Sequence, residues 1–219
     1  MYRKIPNMLT MLRAVLACVF FLVLNQYQYV PGAAAKDGPG WAIVAAIVIF
    51  IIAAITDALD GYLARRWKVE SQFGRIMDPF CDKVLVMGAL IYLAGARFVA
   101  DGEPIHGFFS GHMVSGVYPW MVALILAREL LVTGIRGELE AKGMSFGANW
   151  WGKIKFIMQA IIVPIVLGIV ACDPKASGNE WMAVLRDVLI YITVIVSVVS
   201  GLPYVTGAMK HMGDDQEAA

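Results

Sequence analysis

Charge is scarce in this 219-residue chain: Asp, Glu, Lys and Arg together make up 16% of it, against 59% hydrophobic residues. Soluble domains carry about 25% charged residues, so an ordinary water-soluble globule is excluded. A mean hydropathy of +0.69 says the same. Charge of one sign is also missing. Eighteen Lys and Arg against seventeen Asp and Glu leave a formal net charge of +1, without the basic excess of a nucleic-acid-binding protein, and no nucleic-acid partner is expected. Cysteine is nearly absent. Cys18, Cys81 and Cys172 lie far apart with no CxxC spacing, which excludes a disulfide framework and a thiolate metal site; they read as small membrane-core residues. There is no internal repeat and no sign of a second domain.

What the chain has instead is long apolar runs. A membrane-crossing helix needs about twenty mostly apolar residues, and six stretches qualify: roughly 8–28, 41–64, 76–99, 118–137, 152–171 and 184–207. Runs of this length must satisfy their backbone internally, so they are helices and not strands. The expected fold is an all-α integral membrane protein with six transmembrane helices, a single domain over 1–212. Pro164 and Pro203 fall inside spans and predict kinks. The acidic tail 213–219 is expected to be disordered. Basic Arg3 and Lys4 ahead of an apolar run, with alanines at 33–35, mimic a signal peptide. Arg13 within the run and the polar stretch 25–29 argue against cleavage, so 8–28 is read as the first membrane helix.

Lys and Arg are distributed unevenly over the connections. Arg3, Lys4, Arg65, Arg66, Lys68, Arg75, Lys142, Lys153, Lys155 and Lys210 gather on one side, while Lys36, Arg97, Lys175 and Arg186 fall on the other. The positive-inside rule puts the first group, and both termini, in the cytoplasm, in the manner of a bacterial inner membrane.

The chemistry concentrates at the end of the second span. Asp57, Asp60 and Ala64 recur at i, i+3 and i+7 and share a helix face; Asp78 and Asp82, four apart, share a face of the next helix. A short basic loop between the helices would let the two faces oppose each other. Four carboxylates at a membrane boundary are costly, each about 2.5–3.5 kcal/mol at the bilayer centre and less near the interface. Divalent cations would remove both that penalty and the mutual repulsion. Carboxylate oxygens suit Mg²⁺ or Mn²⁺, and two such ions about 3.5–4 Å apart can clamp the attacking and leaving oxygens of a displacement at phosphorus. Gly61 and Ala64 leave room for phosphates to approach the helix, Gly74 permits a close backbone approach, and Arg65 can pair with a phosphate. Pro79 is tolerable if the third helix starts near Gly74–Asp78.

The string from Asp57 to Asp82 fits D-x2-D-G-x2-A-R-x8-G-x3-D-x3-D at every fixed position. It resembles the signature of the CDP-alcohol phosphotransferase family, and the six-span layout extends the resemblance over nearly the whole chain. By that resemblance, Asp57, Asp60 and Asp78 hold two divalent cations, Mg²⁺ or Mn²⁺. Asp82 also approaches a metal and acts as general base on the acceptor hydroxyl. The same resemblance implies that Asp60, Gly61, Ala64, Arg65 and Gly74 border the CDP moiety, with Ser71 a weaker candidate, and that the protein is a homodimer.

The remaining polar residues within the spans bear on the acceptor. Arg128 and Arg136 lie two turns apart on the fourth span, and Lys153 and Lys155 open the fifth. Each has a plainer reading: Lys155 could snorkel to the headgroups, Arg136 could be a boundary charge, and Arg128 with Glu129 could be a structural ion pair. Together the cations suit an anionic acceptor such as a polyol phosphate. Pro6 to Arg13 (P-N-x-L-T-x-x-R), Arg128 to Arg136, and Gly152 to Lys155 (G-K-x-K) resemble the branch of the family whose acceptor is glycerol 3-phosphate and whose lipid donor is CDP-diacylglycerol. The resemblance adds Asn7, Thr10 and Arg13 to Arg128, Arg136, Lys153 and Lys155 as candidates for the acceptor phosphate. The bulky Ala148-Asn149-Trp150-Trp151 ahead of G-K-x-K and the long 100–117 loop depart from that pattern. Inositol phosphate, serine or phosphatidylglycerol are the other acceptors to weigh. A cation transporter would need carboxylates near the midplane and inverted repeats, which this sequence does not have.

Overall fold

The computed structural model describes residues 5–30, 40–67, 72–100, 113–141, 150–172 and 179–217. These form α1 (Ile5–Leu24), α2 (Gly40–Trp67), α3 (Gln72–Leu93), α4 (Pro119–Ala141), α5 (Trp150–Ala171), α6 (Glu180–Val199) and α7 (Leu202–Glu217), with a 3₁₀ turn at Ala96–Phe98. Among the described residues, the sole isolated β-bridge is Val99 with Met113. Gly40–Gly61, Ile154–Ala171 and Trp181–Met209 are long and apolar enough to cross a membrane, and Met8–Leu24 and Lys83–Leu93 are shorter apolar helices. Along them, Val44, Val48, Ile55, Ile157, Ile161, Val188 and Ile195 stand exposed. Water would not tolerate so much bare hydrocarbon, but lipid does. The protein is an all-helical integral membrane protein.

The sixth span is divided. Pro203 has no N–H, and its ring would clash with the carbonyl of Val199 in a continuous helix. Accordingly α6 stops at Val199, Ser200 and Gly201 turn, and Pro203 sits in the first turn of α7. Pro164, by contrast, stays inside an unbroken α5. α7 continues to Glu217, so residues 213–217 are helical where disorder was expected. α3 begins at Gln72, which leaves Pro79 two turns into the helix and not in its first turn.

α1 packs against α2 and α3. Buried Ala17, Phe20 and Leu24 form one stripe of α1, and Ala42, Ala46, Phe50 and Ala53 form the facing stripe of α2. Small residues let the backbones approach closely, the usual device where lipid removes the hydrophobic drive between helices. On the α3 side, a Cβ at Gly88 would lie 2.2 Å from the Phe21 ring, which itself stacks on Tyr92 at 5.5 Å. α4 packs on α3, α6 and α7, while α5 packs on α2, α3 and α6.

Hydrogen bonds tie together the end of the bundle remote from the aspartates. The Arg97 guanidinium donates to the Tyr27 carbonyl at 3.2 Å, and the Ser115 hydroxyl to the Leu93 carbonyl at 2.6 Å. Arg186 pairs with Asp187 and donates to the Val114 carbonyl. Gly116 has φ +69°, and a Cβ there would lie 2.5 Å from an Asp187 oxygen; glycine alone suits the position.

Candidate active site

The buried stripe of α1 begins with Thr10 and Arg13, each 1% exposed. The helical period that carries Ala17, Phe20 and Leu24 into the core carries Arg13 in with them. A guanidinium at that depth requires anionic partners. α2 supplies them, because its own buried stripe runs on through Thr56 to Asp60, which is 5% exposed. Arg13 Nη1 meets Asp57 Oδ1 at 2.7 Å and Arg13 Nη2 pairs with Asp60 Oδ2. The planar fork of arginine spans two carboxylates one helical turn apart.

Two carboxylates of α2 thus aim at one cationic point. This convergence of hard oxygen donors fits a divalent cation such as Mg²⁺ or Mn²⁺. The Cys81 thiol approaches the Thr10 carbonyl at 4.0 Å, so α3 lies against the same turn of α1 at the residue before Asp82. Asp78 and Asp82 are both on α3; for them, as for Asn7, Ala64, Arg65, Gly74 and Lys153, the described structure gives the helix and not the surroundings of the side chain. Ser71 lies outside the described residues. Gly61, half-buried, directly follows Asp60 on α2. Among the described residues no three His, Cys, Asp or Glu side chains gather; two of the four aspartate side chains are not among them.

The second feature is a cleft of about 470 Å³ framed by α3, α4, α5 and α7. Among the described residues, Lys83, Arg128, Arg136 and Lys155 line it together with one carboxylate, Glu129. Glu129 organises the wall. Its carboxylate accepts from Arg128 at 2.5 Å and from Lys155. Arg128 also donates to the Ser200 hydroxyl at 2.9 Å, and Ser200 donates to the Ser197 carbonyl at 2.7 Å. Lys83 donates to the Thr133 hydroxyl, which donates to the Glu129 carbonyl at 2.7 Å. The break between α6 and α7 has a part here: a Cβ on Gly201 would come within 3.1 Å of Arg128 Cγ.

The structure therefore sorts the sequence candidates into two groups. Arg128, Arg136, Lys155 and Gly152 line one cleft, with Arg136 exposed at its rim. Arg13, expected with them, is instead held by Asp57 and Asp60. Lys155 does not snorkel: it is 7% exposed and bonded to Glu129. The Arg128–Glu129 ion pair weighed from sequence is present and extends to Lys155. Sequence reasoning missed Lys83, Thr133, Ser200 and Tyr204. Lys83 had a usable signal, since it directly follows Asp82 and so leaves α3 about 100° around from it.

A sequence match to the family described as CDP-alcohol phosphatidyltransferase covers residues 3–199. The chain belongs to that family. It is a CDP-alcohol phosphatidyltransferase, an enzyme of a family that depends on divalent metal. A CDP-diacylglycerol–glycerol-3-phosphate 3-phosphatidyltransferase of Cereibacter sphaeroides is 37% identical over 74% of this chain and 62% of its own; the chain thus spans somewhat under two thirds of that relative. A protein of the same name from Shigella flexneri is 29% identical over 96% of this chain and 98% of its own. A probable phosphatidylglycerophosphate synthase of Mycobacterium tuberculosis is 32% identical over 99% of this chain and 87% of its own.

Proposed function

We propose that this phosphatidyltransferase moves the phosphatidyl group of CDP-diacylglycerol to glycerol 3-phosphate, giving phosphatidylglycerol phosphate and CMP. The observation that carries the choice of acceptor is the cleft where Lys83, Arg128, Arg136 and Lys155 gather, Lys83 being the residue next to Asp82. A cleft to which Lys83, Arg128 and Arg136 bring several cationic donors suits a phosphate-bearing acceptor; serine has no phosphate for them to hold. The names of the relatives point the same way.

CDP-diacylglycerol reaches the site from the lipid, its cytidine and pyrophosphate bordered by Asp60, Gly61, Ala64, Arg65 and Gly74, with Ser71 nearby. Asp57, Asp60, Asp78 and Asp82 would hold two divalent cations, which when bound would supply positive charge to offset that of the pyrophosphate. Arg13 keeps the Asp57 and Asp60 carboxylates converged. Arg128, Arg136 and Lys153 hold the acceptor phosphate, and Asp82 takes the proton from the acceptor hydroxyl. The freed oxygen forms a bond to the lipid-linked phosphorus as the bond from that phosphorus to the CMP oxygen breaks. The reading includes a homodimer with both termini and the site on the cytoplasmic side.

The test is an acceptor panel. Membranes containing the protein receive CDP-diacylglycerol, Mg²⁺ and, in turn, glycerol 3-phosphate, inositol phosphate, serine or phosphatidylglycerol, and CMP release is followed. Fastest release with glycerol 3-phosphate is expected; a clear preference for another acceptor rejects the reading.

A further inference from the structure

A narrower recess of about 160 Å³ adjoins the cleft between α3 and α5 and shares Lys83, Glu129, Lys155 and Phe156 with it. The arginines of the cleft do not line it; Val86, Met87 and Gln159 do. Gln159 lies one turn beyond Lys155 on α5 and is 2% exposed, and its Nε2 has no hydrogen-bond partner. A buried amide donor without an acceptor is destabilising, and native proteins avoid it unless something outside the chain completes the bond. The charged groups around it are already engaged, Lys155 with Glu129 and Lys83 with Thr133.

We propose that Gln159 determines acceptor specificity by hydrogen-bonding the hydroxyl on the carbon between the attacking and phosphate-bearing carbons, the 2-hydroxyl of glycerol 3-phosphate. The proposal rests on the acceptor reading above. The cleft and its recess divide the acceptor by chemistry. The cation-lined cleft takes the phosphate. The recess, whose described lining is apolar apart from one neutral amide and the paired charges that it shares with the cleft, takes a neutral group of small volume. A hydroxyl both donates and accepts, so it pairs with the carboxamide in either orientation of the amide. A dianionic phosphate among Val86, Met87 and Phe156 would be poorly solvated.

The experiment compares glycerol 3-phosphate with 3-hydroxypropyl phosphate, which keeps the phosphate and the attacking hydroxyl and lacks the 2-hydroxyl. Purified full-length protein is assayed by CMP release with CDP-diacylglycerol and Mg²⁺. Wild type should favour glycerol 3-phosphate by about 10- to 100-fold in kcat/KM, the range for one buried hydrogen bond left unmade. Gln159→Met, similar in volume, should bring the two acceptors within about threefold, chiefly by losing rate on glycerol 3-phosphate. A Gln159→Met enzyme that loses rate equally on both acceptors and keeps the wild-type preference would overturn the proposal. So would equal kcat/KM for the two acceptors in wild type, a result that requires no variant to fold. Release with neither acceptor, but with inositol phosphate or serine, would refute the acceptor reading itself and is distinct from a lost preference between the two.

Discussion

Replacing Arg13 by Gln removes a guanidinium that bridges Asp57 and Asp60. Deleting one partner of a buried ion pair costs about 3–5 kcal/mol, because the remaining charge stays buried and uncompensated. The Asp57 side chain is 25% exposed and water relieves part of its burden, whereas Asp60, at 6%, has little relief. The lower end, about 3 kcal/mol, is therefore expected. A chain of this length loses roughly 2–4 °C of Tm per kcal/mol, so Arg13→Gln in the presence of EDTA should melt about 6–12 °C below wild type. Mg²⁺ or Mn²⁺ at saturating concentration should restore much of that loss, since a ligand at a hundred times its Kd returns about 2.7 kcal/mol. The metal should stabilise the variant more than it stabilises wild type, where Arg13 already balances the carboxylates. Arg13→Lys should recover less than half the loss, because an ammonium is a point charge and not a two-pronged donor. Asp60→Asn added to Arg13→Gln should be less harmful than Arg13→Gln alone. Thermal unfolding of purified protein in detergent, with and without metal, reads all of these. A Tm for Arg13→Gln within about 1 °C of wild type in EDTA would refute the electrostatic reasoning, as would equal stabilisation of both proteins by metal.

Asp82→Asn should lower turnover by about 10²–10⁴-fold, the usual contribution of a general base, with CDP-lipid binding largely retained; wild-type turnover in the purified variant rejects the assignment. Lys83→Met should raise the KM for glycerol 3-phosphate by about 10- to 100-fold, as expected for one charge-assisted hydrogen bond, and change kcat little if the contact is equal in ground and transition states. A KM unchanged in steady-state assays would remove Lys83 from the acceptor cleft. Gly116→Ala forces a positive φ on a residue with a Cβ and drives that atom onto Asp187 and Arg186. About 1–3 kcal/mol of stability should be lost, with CMP release per folded molecule unchanged because the turn lies at the far end from the aspartates. An unaltered melting curve would contradict the strained geometry.

The amino-acid sequence alone determined the membrane class, the helical fold and the spacing of Asp57, Asp60, Asp78 and Asp82 along two helices. Those properties are local: apolar run length and the 3.6-residue period depend on near neighbours in the chain. They also made the grouping of Arg128 with Arg136 legible, since both lie on α4. The tertiary structure decided what crosses between helices. Arg13 looked like one more cation for an anionic acceptor, because nothing in its own segment says which helix its buried face will meet; packing of α1 on α2 gave it to Asp57 and Asp60. Lys83 and Gln159, on different helices, border a common recess because α3 packs on α5, a relation that no spacing within either helix encodes. The division of the last span at Ser200–Gly201 lay between these cases. Pro203 announced a disturbance, but the room that Gly201 leaves for Arg128 exists only once α4 lies against that turn.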